Sequence, residues 1–175
     1  MIIGLIGYAQ SGKDTVAEIL VNKYGFNRKA FADNIRKFLY EMNYDGVRFA
    51  VDSVGWDRAK QMPNIREALQ NAGVAARTIL GEDVWVDAVM KEIDSYSNYV
   101  ITDVRFKNEA TTLKLLGAEL WRIERPGVGP VNQHISETEL EGLSADRTLL
   151  NGGTLDELEM LVKIRLDSAL ANKVT

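Results

Sequence analysis

The sequence predicts an α/β fold, a parallel sheet with helices on both faces. Three observations predict it. The opening segment Ile2-Ile3-Gly4-Leu5-Ile6 is continuously apolar rather than alternating, as a central strand covered on both sides must be. Helically spaced apolar positions then alternate along the chain with short runs of strand character. Finally, the first strand meets the first helix at a glycine-bearing turn, Gly7-Tyr8-Ala9-Gln10-Ser11-Gly12-Lys13-Asp14-Thr15.

From Lys13 to Tyr24 the apolar residues Val16, Ala17, Ile19, Leu20 and Tyr24 fall at helical spacing, and Gly25 is a natural stop. Phe31, Ile35, Phe38, Leu39 and Met42 repeat the pattern, with Asp33 as the expected N-cap. Residues 43–62 keep no sustained period and read as a loop or short helices. Asn64 with Glu67 resembles a capping box for a helix through Leu80, closed by Gly81, and a further helix is expected from Glu82 to about Asp94. Residues 98–103 read as a second buried strand ending on Asp103, followed by a helix over 107–116 with Gly117 at its C-terminus. Residues 118–123 read as a third strand and Arg147 to Leu150 as a fourth; Thr154 and Glu157 form a capping box for the last helix.

The totals bound the chemistry. A chain of 175 residues fits one domain, alone or with an inserted lobe, and can bury roughly two-thirds of its unfolded surface. No Cys and a single His, His134, exclude a disulfide framework and a thiolate or His-cluster metal site. The apolar start lacks a basic leader, and no run of about 18 apolar residues occurs, so no membrane segment is expected. A net charge of −4 gives no global field for a nucleic acid polymer or an acidic membrane face. An anionic small molecule would need local cations, and Arg58, Arg66, Arg105, Arg122 and Arg125 supply them.

Gly7, Gly12 and Lys13 meet the pattern G-x-x-x-x-G-K. Its glycines let backbone N–H groups approach phosphate oxygens, the helix that opens there adds the positive end of its dipole, and the lysine adds a full charge. A bare match could be a turn with a solvated lysine, but the strand before it and the helix after it select the phosphate reading. Asp14 stands where a Mg²⁺-ligating Ser or Thr is usual, with Thr15 one place later. Two roles stay open for Asp14: holding the ion through water, or capping the helix. Asp103 closes its strand where a carboxylate would face the phosphate loop and bind Mg²⁺, against the simpler role of an acidic turn residue. Arg105 points the same way if the chain stays extended, and either contacts an acceptor phosphate or pairs with Glu109 on the surface. Trp85, on an apolar helical face, is a core residue before it is a stacking surface.

In chain order, several segments go beyond one motif. They are Ser11-Gly12-Lys13-Asp14-Thr15; Trp56-Asp57-Arg58; Arg66 with Leu69-Gln70-Asn71-Ala72-Gly73; Trp85; Thr102-Asp103-Val104-Arg105 with Glu109; Arg125-Pro126-Gly127; His134-Ile135-Ser136-Glu137; and Asn151-Gly152-Gly153-Thr154-Leu155. Together they resemble the bacteriophage-type deoxynucleoside monophosphate kinases, P-loop NTPases close in architecture to adenylate kinase. The resemblance implies a three-layer P-loop sandwich of the nucleoside monophosphate kinase type over residues 1–175, with an acceptor-binding lobe at about 31–80 and a lid at about 124–145. It implies transfer of the γ-phosphate of ATP, with Mg²⁺, to a deoxynucleoside monophosphate, in the cytoplasm (the host's, for a phage protein), and a homodimer is among the assembly states it allows.

Carried over position by position, Gly7, Gln10, Ser11, Gly12, Lys13, Asp14 and Thr15 hold ATP phosphates, and Arg125, Asn151, Gly152 and Thr154 lie toward the rest of the nucleotide. Ile35, Arg36, Arg58, Arg66, Gly73, Trp85, Arg105 and Glu109 line the acceptor site; Lys13, Asp103 and Arg105 carry the transfer, and Asp14 and Asp103 the metal. Ala9 stands where a member of the family has lysine, and residues 40–62 are shorter than in that relative. Two other readings stay open: another small P-loop kinase, such as one acting on dephospho-coenzyme A or a small alcohol, and an ATP-binding switch that transfers nothing.

Overall fold

Ile2–Ile6 forms β1, the centre of a parallel sheet that also contains β2 (Asn27–Lys29), β3 (Tyr99–Ile101), β4 (Glu119–Glu124) and β5 (Arg147–Leu150). The strand order is β2-β3-β1-β4-β5, with Gly4 opposite Ile101 on one side and Leu5 opposite Trp121 on the other. The structure is a computed structural model and describes residues 1–130, 139 and 142–171. Because every pair is parallel, the carboxyl ends of the strands share one edge, where ligands of open α/β sheets bind.

The chain divides into two compact units, Met1–Lys29 with Ile93–Thr175, and Ala30–Glu92. The first holds the sheet with α1 (Lys13–Tyr24), α7 (Lys107–Leu115) and α8 (Leu155–Ala171). Alternation along β1 sends Ile3 and Leu5 to the face covered by α1 and α8, where they pack with Val16, Leu20, Trp121, Val162 and Leu166. On the opposite face α7 lies close at Gly4, where an added methyl would meet Leu120, Leu113 and Val104. Both faces are therefore covered, as the unbroken apolar run of β1 requires. Between β4 and β5, Arg147 pairs with Glu119 at 2.6 Å, and the buried Trp121 donates its indole N–H to the same carboxylate at 3.0 Å. Burial opposes the charge on Glu119, but the bonds from Arg147 and Trp121 outweigh it and hold its pKa below the ordinary value.

The second unit is helical: α2 (Phe31–Met42), a 3₁₀ turn at Tyr44–Gly46, α3 (Val47–Val54), α4 (Trp56–Ala59), α5 (Pro63–Leu80) and α6 (Val84–Met90). Leu39, Val47, Ile65 and Ala68 form its centre, with Trp56, Met62 and Leu69 packed around them.

Several boundaries differ from the sequence expectation for local reasons. β2 was not expected, because Asn27, Arg28 and Lys29 are polar and their strand sits at the sheet edge, where backbone pairing with β3 alone defines it. Asp33 does not cap α2. The extended Ala30 occupies that position, and Asp33 lies in the first turn, bonded to Arg36 at 2.7 Å. Asn64 likewise falls inside α5, which begins at Pro63 with Met62 as its N-cap, since proline's fixed φ suits the first helical position. α6 stops at Met90, short of Asp94. The Asp94 carboxylate there accepts the backbone N–H groups of Tyr96 and Ser97, each at 2.8 Å, and the Tyr99 hydroxyl at 2.7 Å. Such local bonds compete with helix and turn the chain into β3.

Those bonds favour the charged carboxylate, the Tyr99 hydroxyl most, and lower the Asp94 pKa from 3.8 to about 2. The group binds its proton more weakly when folded, so its contribution is complete above about pH 4 and fades as the pH falls toward 2. Asp94→Ala should therefore lower stability by a constant amount from pH 5 to 7 in urea denaturation, with the gap to the parent narrowing below about pH 4.

Candidate active site

The turn between β1 and α1 is shaped by steric exclusion. Gly7 has φ of 153°, and a Cβ there would lie 2.5 Å from the carbonyl oxygen of Ile123 and 2.8 Å from Ser11 Oγ. Gly12 has φ of 102°, and a Cβ there would lie 2.2 Å from Asn151 Nδ2. Only glycine meets either condition. Between them Gln10 adopts φ of 66°, an uncommon conformation for a residue with a side chain. The loop is pinned inside by a bond from Ser11 N–H to the Tyr8 carbonyl at 3.2 Å, and α1 starts with Val16 N–H on the Gly12 carbonyl at 3.0 Å.

Lys13 curls over this loop, and its ammonium donates to the carbonyls of Gly7 at 2.7 Å and Tyr8 at 2.6 Å. Ser11 is 1% exposed, and its hydroxyl has no hydrogen-bond partner. A buried, unsatisfied hydroxyl costs free energy and calls for a polar ligand. With the N-terminus of the twelve-residue α1 beside it, the loop fits an anion with several oxygens. Asp14 does not cap α1: Gly12 holds that position, and Asp14 is an exposed first-turn residue.

The other strand ends converge on the same sheet edge. Asp103 lies two residues beyond β3, half-buried, between Thr102, whose N–H reaches the Lys29 carbonyl, and Val104, whose N–H reaches the Leu5 carbonyl. Arg105 is exposed. Glu109 is not at the surface. It is 4% exposed, and its Oε2 accepts the backbone N–H of Arg105 at 2.7 Å and of Phe106 at 2.9 Å. The carboxylate thus covers the N-terminus of α7 and fixes the segment that carries Arg105.

At the ends of β4 and β5 a hollow of about 250 Å³ is lined by Gly7, Tyr8, Ser11, Arg125, Val128 and Leu150, among others. Gly152 lies over Pro126 at its rim. The Thr154 amide and hydroxyl both bond to Glu157, and the Glu157 N–H returns to Thr154 Oγ1, so Thr154 serves the start of α8 as its capping box predicts. Asn151 turns its side chain to the phosphate loop: Nδ2 donates to the Ser11 carbonyl at 2.9 Å. Nothing in the sequence signals that contact across 140 positions. The His134 segment lies outside the described residues, as does part of the expected lid.

The second unit brings together a different set. Arg36, Lys37, Tyr40, Asp33, Asp52 and Trp56 line a hollow of about 460 Å³. Tyr40 donates its hydroxyl to Asp52 at 2.8 Å, and this bond raises the tyrosine pKa above its ordinary value. Arg58 and Arg66 are exposed on α4 and α5, and their guanidinium groups make no bond among the described residues. Trp85 is buried, donates its indole N–H to the Gly73 carbonyl at 3.1 Å and meets Phe38 edge-on; an added methyl on Gly73 would touch Ile35. Gly73 thus stands next to both Ile35 and Trp85, and the Trp85 N–H is already engaged. Among the described residues no group of three or more His, Cys, Asp or Glu could hold a metal ion.

Comparison with known proteins gives a consistent picture. A family model described as deoxynucleotide monophosphate kinase matches residues 44–162. Over 97% of its length the chain is 31% identical to a protein of Acanthamoeba polyphaga mimivirus that carries a deoxynucleotide monophosphate kinase name, and it covers 97% of that protein. A 63-residue stretch, 36% of the chain and 26% of the relative, is 33% identical to the deoxynucleotide monophosphate kinase of Escherichia phage RB69. Among solved structures, shikimate kinase from Aquifex aeolicus superposes with a TM-score of 0.51 at 13% identity, covering 95% of this chain and 96% of that one; the likeness is one of fold.

Glu109→Ala would strip two backbone amides of a charged acceptor. We expect a loss of about 1.5–3 kcal/mol in urea denaturation, where a surface partner of Arg105 would cost under about 1 kcal/mol.

Proposed function

Because the chain belongs to the deoxynucleotide monophosphate kinase family, we propose that it transfers the γ-phosphate of ATP to a deoxynucleoside monophosphate, giving ADP and the diphosphate for DNA precursor supply. The observation that carries this reading is the loop from Gly7 to Thr15, with its buried unpartnered Ser11 hydroxyl and its lysine bonded to loop carbonyls.

In this reading phosphate oxygens take up the Ser11 hydroxyl, the loop amides and the Lys13 ammonium, which exchanges its carbonyl partners for them. Phosphoryl transfer needs positioning and charge neutralisation more than covalent chemistry. Lys13 serves the donor phosphates. Arg36, Arg58, Arg66 and Arg105 serve the acceptor, Ile35, Gly73 and Trp85 form its wall, and Glu109 positions Arg105 through its backbone. Arg125 and Gly152 belong to the nucleotide end of the donor site and Asn151 stands where that end meets the phosphate loop, with the acceptor lobe at about 31–80 and the lid at about 124–145. Mg²⁺ is commonly held by one or two carboxylates together with phosphates, a role for Asp103 and, through water, Asp14. When bound, that ion supplies charge neutralisation between the phosphates. The substrates are soluble nucleotides, which suits a cytoplasmic enzyme.

A panel of deoxynucleoside monophosphates incubated with ATP and Mg²⁺ should give a diphosphate from at least one member, resolved by ion-exchange chromatography. No diphosphate from any of them would overturn the assignment. Lys13→Ala should lower kcat by about 10²-fold or more while leaving the far-ultraviolet circular dichroism unchanged. Arg66→Ala should raise the acceptor KM about tenfold with little change in the KM for ATP, the effect expected for one charged hydrogen bond to the acceptor.

A further inference from the structure

Asn151 follows β5 directly, and its placement suggests a role other than contact with the nucleoside. Its backbone N–H donates to the Glu124 carbonyl at 2.6 Å, which ties it to the end of β4. Its side chain then reaches across to the phosphate loop, where Nδ2 donates to the Ser11 carbonyl at 2.9 Å. Since that partner is a carbonyl, only the amide nitrogen of the side chain can face it, which fixes the orientation of the group. Nδ2 also fills the space a side chain at position 12 would need, 2.2 Å from the Cβ position of Gly12.

A trans peptide carries its C=O and the next N–H on opposite sides. Holding the Ser11 carbonyl toward Asn151 therefore aims the Gly12 N–H away from Asn151. Gly12 and Gln10 both sit at positive φ, so the loop has few local preferences to keep its peptides in place. One external hydrogen bond on the central peptide supplies that order.

We infer that Asn151 is a positioning residue for the phosphate loop, orienting the Ser11–Gly12 peptide so that the Gly12 amide is presented to a bound polyphosphate. The inference rests on the loop being a phosphate site, as in the kinase reading, and it does not depend on which acceptor the enzyme uses.

Inorganic tripolyphosphate, which has no base or sugar, separates this role from a nucleoside contact. By isothermal titration calorimetry, Asn151→Ala should weaken tripolyphosphate about tenfold, the effect of one lost hydrogen bond. Asn151→Asp, nearly identical in shape, sets an acceptor against the Ser11 carbonyl and should weaken it further. Adenosine binding, followed by NMR titration, should be unchanged in both variants. Unchanged tripolyphosphate affinity in both variants would overturn the inference, as would a loss of adenosine binding with tripolyphosphate retained. A merely structural role would lower the melting temperature and leave both affinities where they were, which also overturns it. Should the parent protein bind tripolyphosphate yet phosphorylate no deoxynucleoside monophosphate, the acceptor assignment fails while the Asn151 comparison still stands.

Discussion

A stretch of backbone at the end of β1 must pass through conformations that most residues avoid while walled in on two sides. The Ile123 carbonyl leaves no room for a Cβ at Gly7, and the Asn151 amide leaves none at Gly12. Much of the first unit supports that arrangement. The parallel order β3-β1-β4-β5 sets the ends of four strands beside the loop, and α1 and α8 clamp Ile3 and Leu5 from one face while α7 closes the other. Glu119, Arg147 and Trp121 fasten β4 to β5, the two strands that supply the loop's walls.

Charge follows the same division of labour. The chain is net negative, so nothing global draws an anion to it. Its useful cations are local. Lys13 is held by carbonyls at the loop, and Arg105 stands on a segment fixed by a buried glutamate. Arg36 lines a hollow in the second unit, with Arg58 and Arg66 exposed on its neighbouring helices. Lys13 and the segment of Arg105 are thus placed through backbone groups, whereas Arg36 relies on an ion pair with Asp33.

Much of the fold was legible in the sequence where one local rule dominated. β1 is continuously apolar because both faces are covered, α1 ends at Gly25 in the left-handed region, and Arg147–Leu150 is a strand as read. The capping box of Thr154 and Glu157 forms with both reciprocal bonds. Misplaced elements were those in which a neighbour outweighed the local signal. Asn27–Lys29 is a strand only because β3 offers it a ladder, and Asp33 and Asn64, good caps by type, were displaced by one extended alanine and one proline. In the site, glycines and lysine at fixed spacing announced the phosphate loop. The bonds of Glu109 and Asn151 were hidden, because one is made to backbone amides and the other joins distant segments.

The shared space at positions 12 and 151 also constrains how this sequence can drift. Asn151 can shrink without creating any new clash at the loop, since Gly12 brings no side chain to meet it. Gly12 cannot follow. A Cβ would first strike the Asn151 amide, and after that amide was gone it would still face a φ of 102°. In steric terms divergence at this corner therefore runs in one direction: position 151 can shrink while glycine persists at 12, at the cost of the bond to the Ser11 carbonyl, and the reverse order is closed.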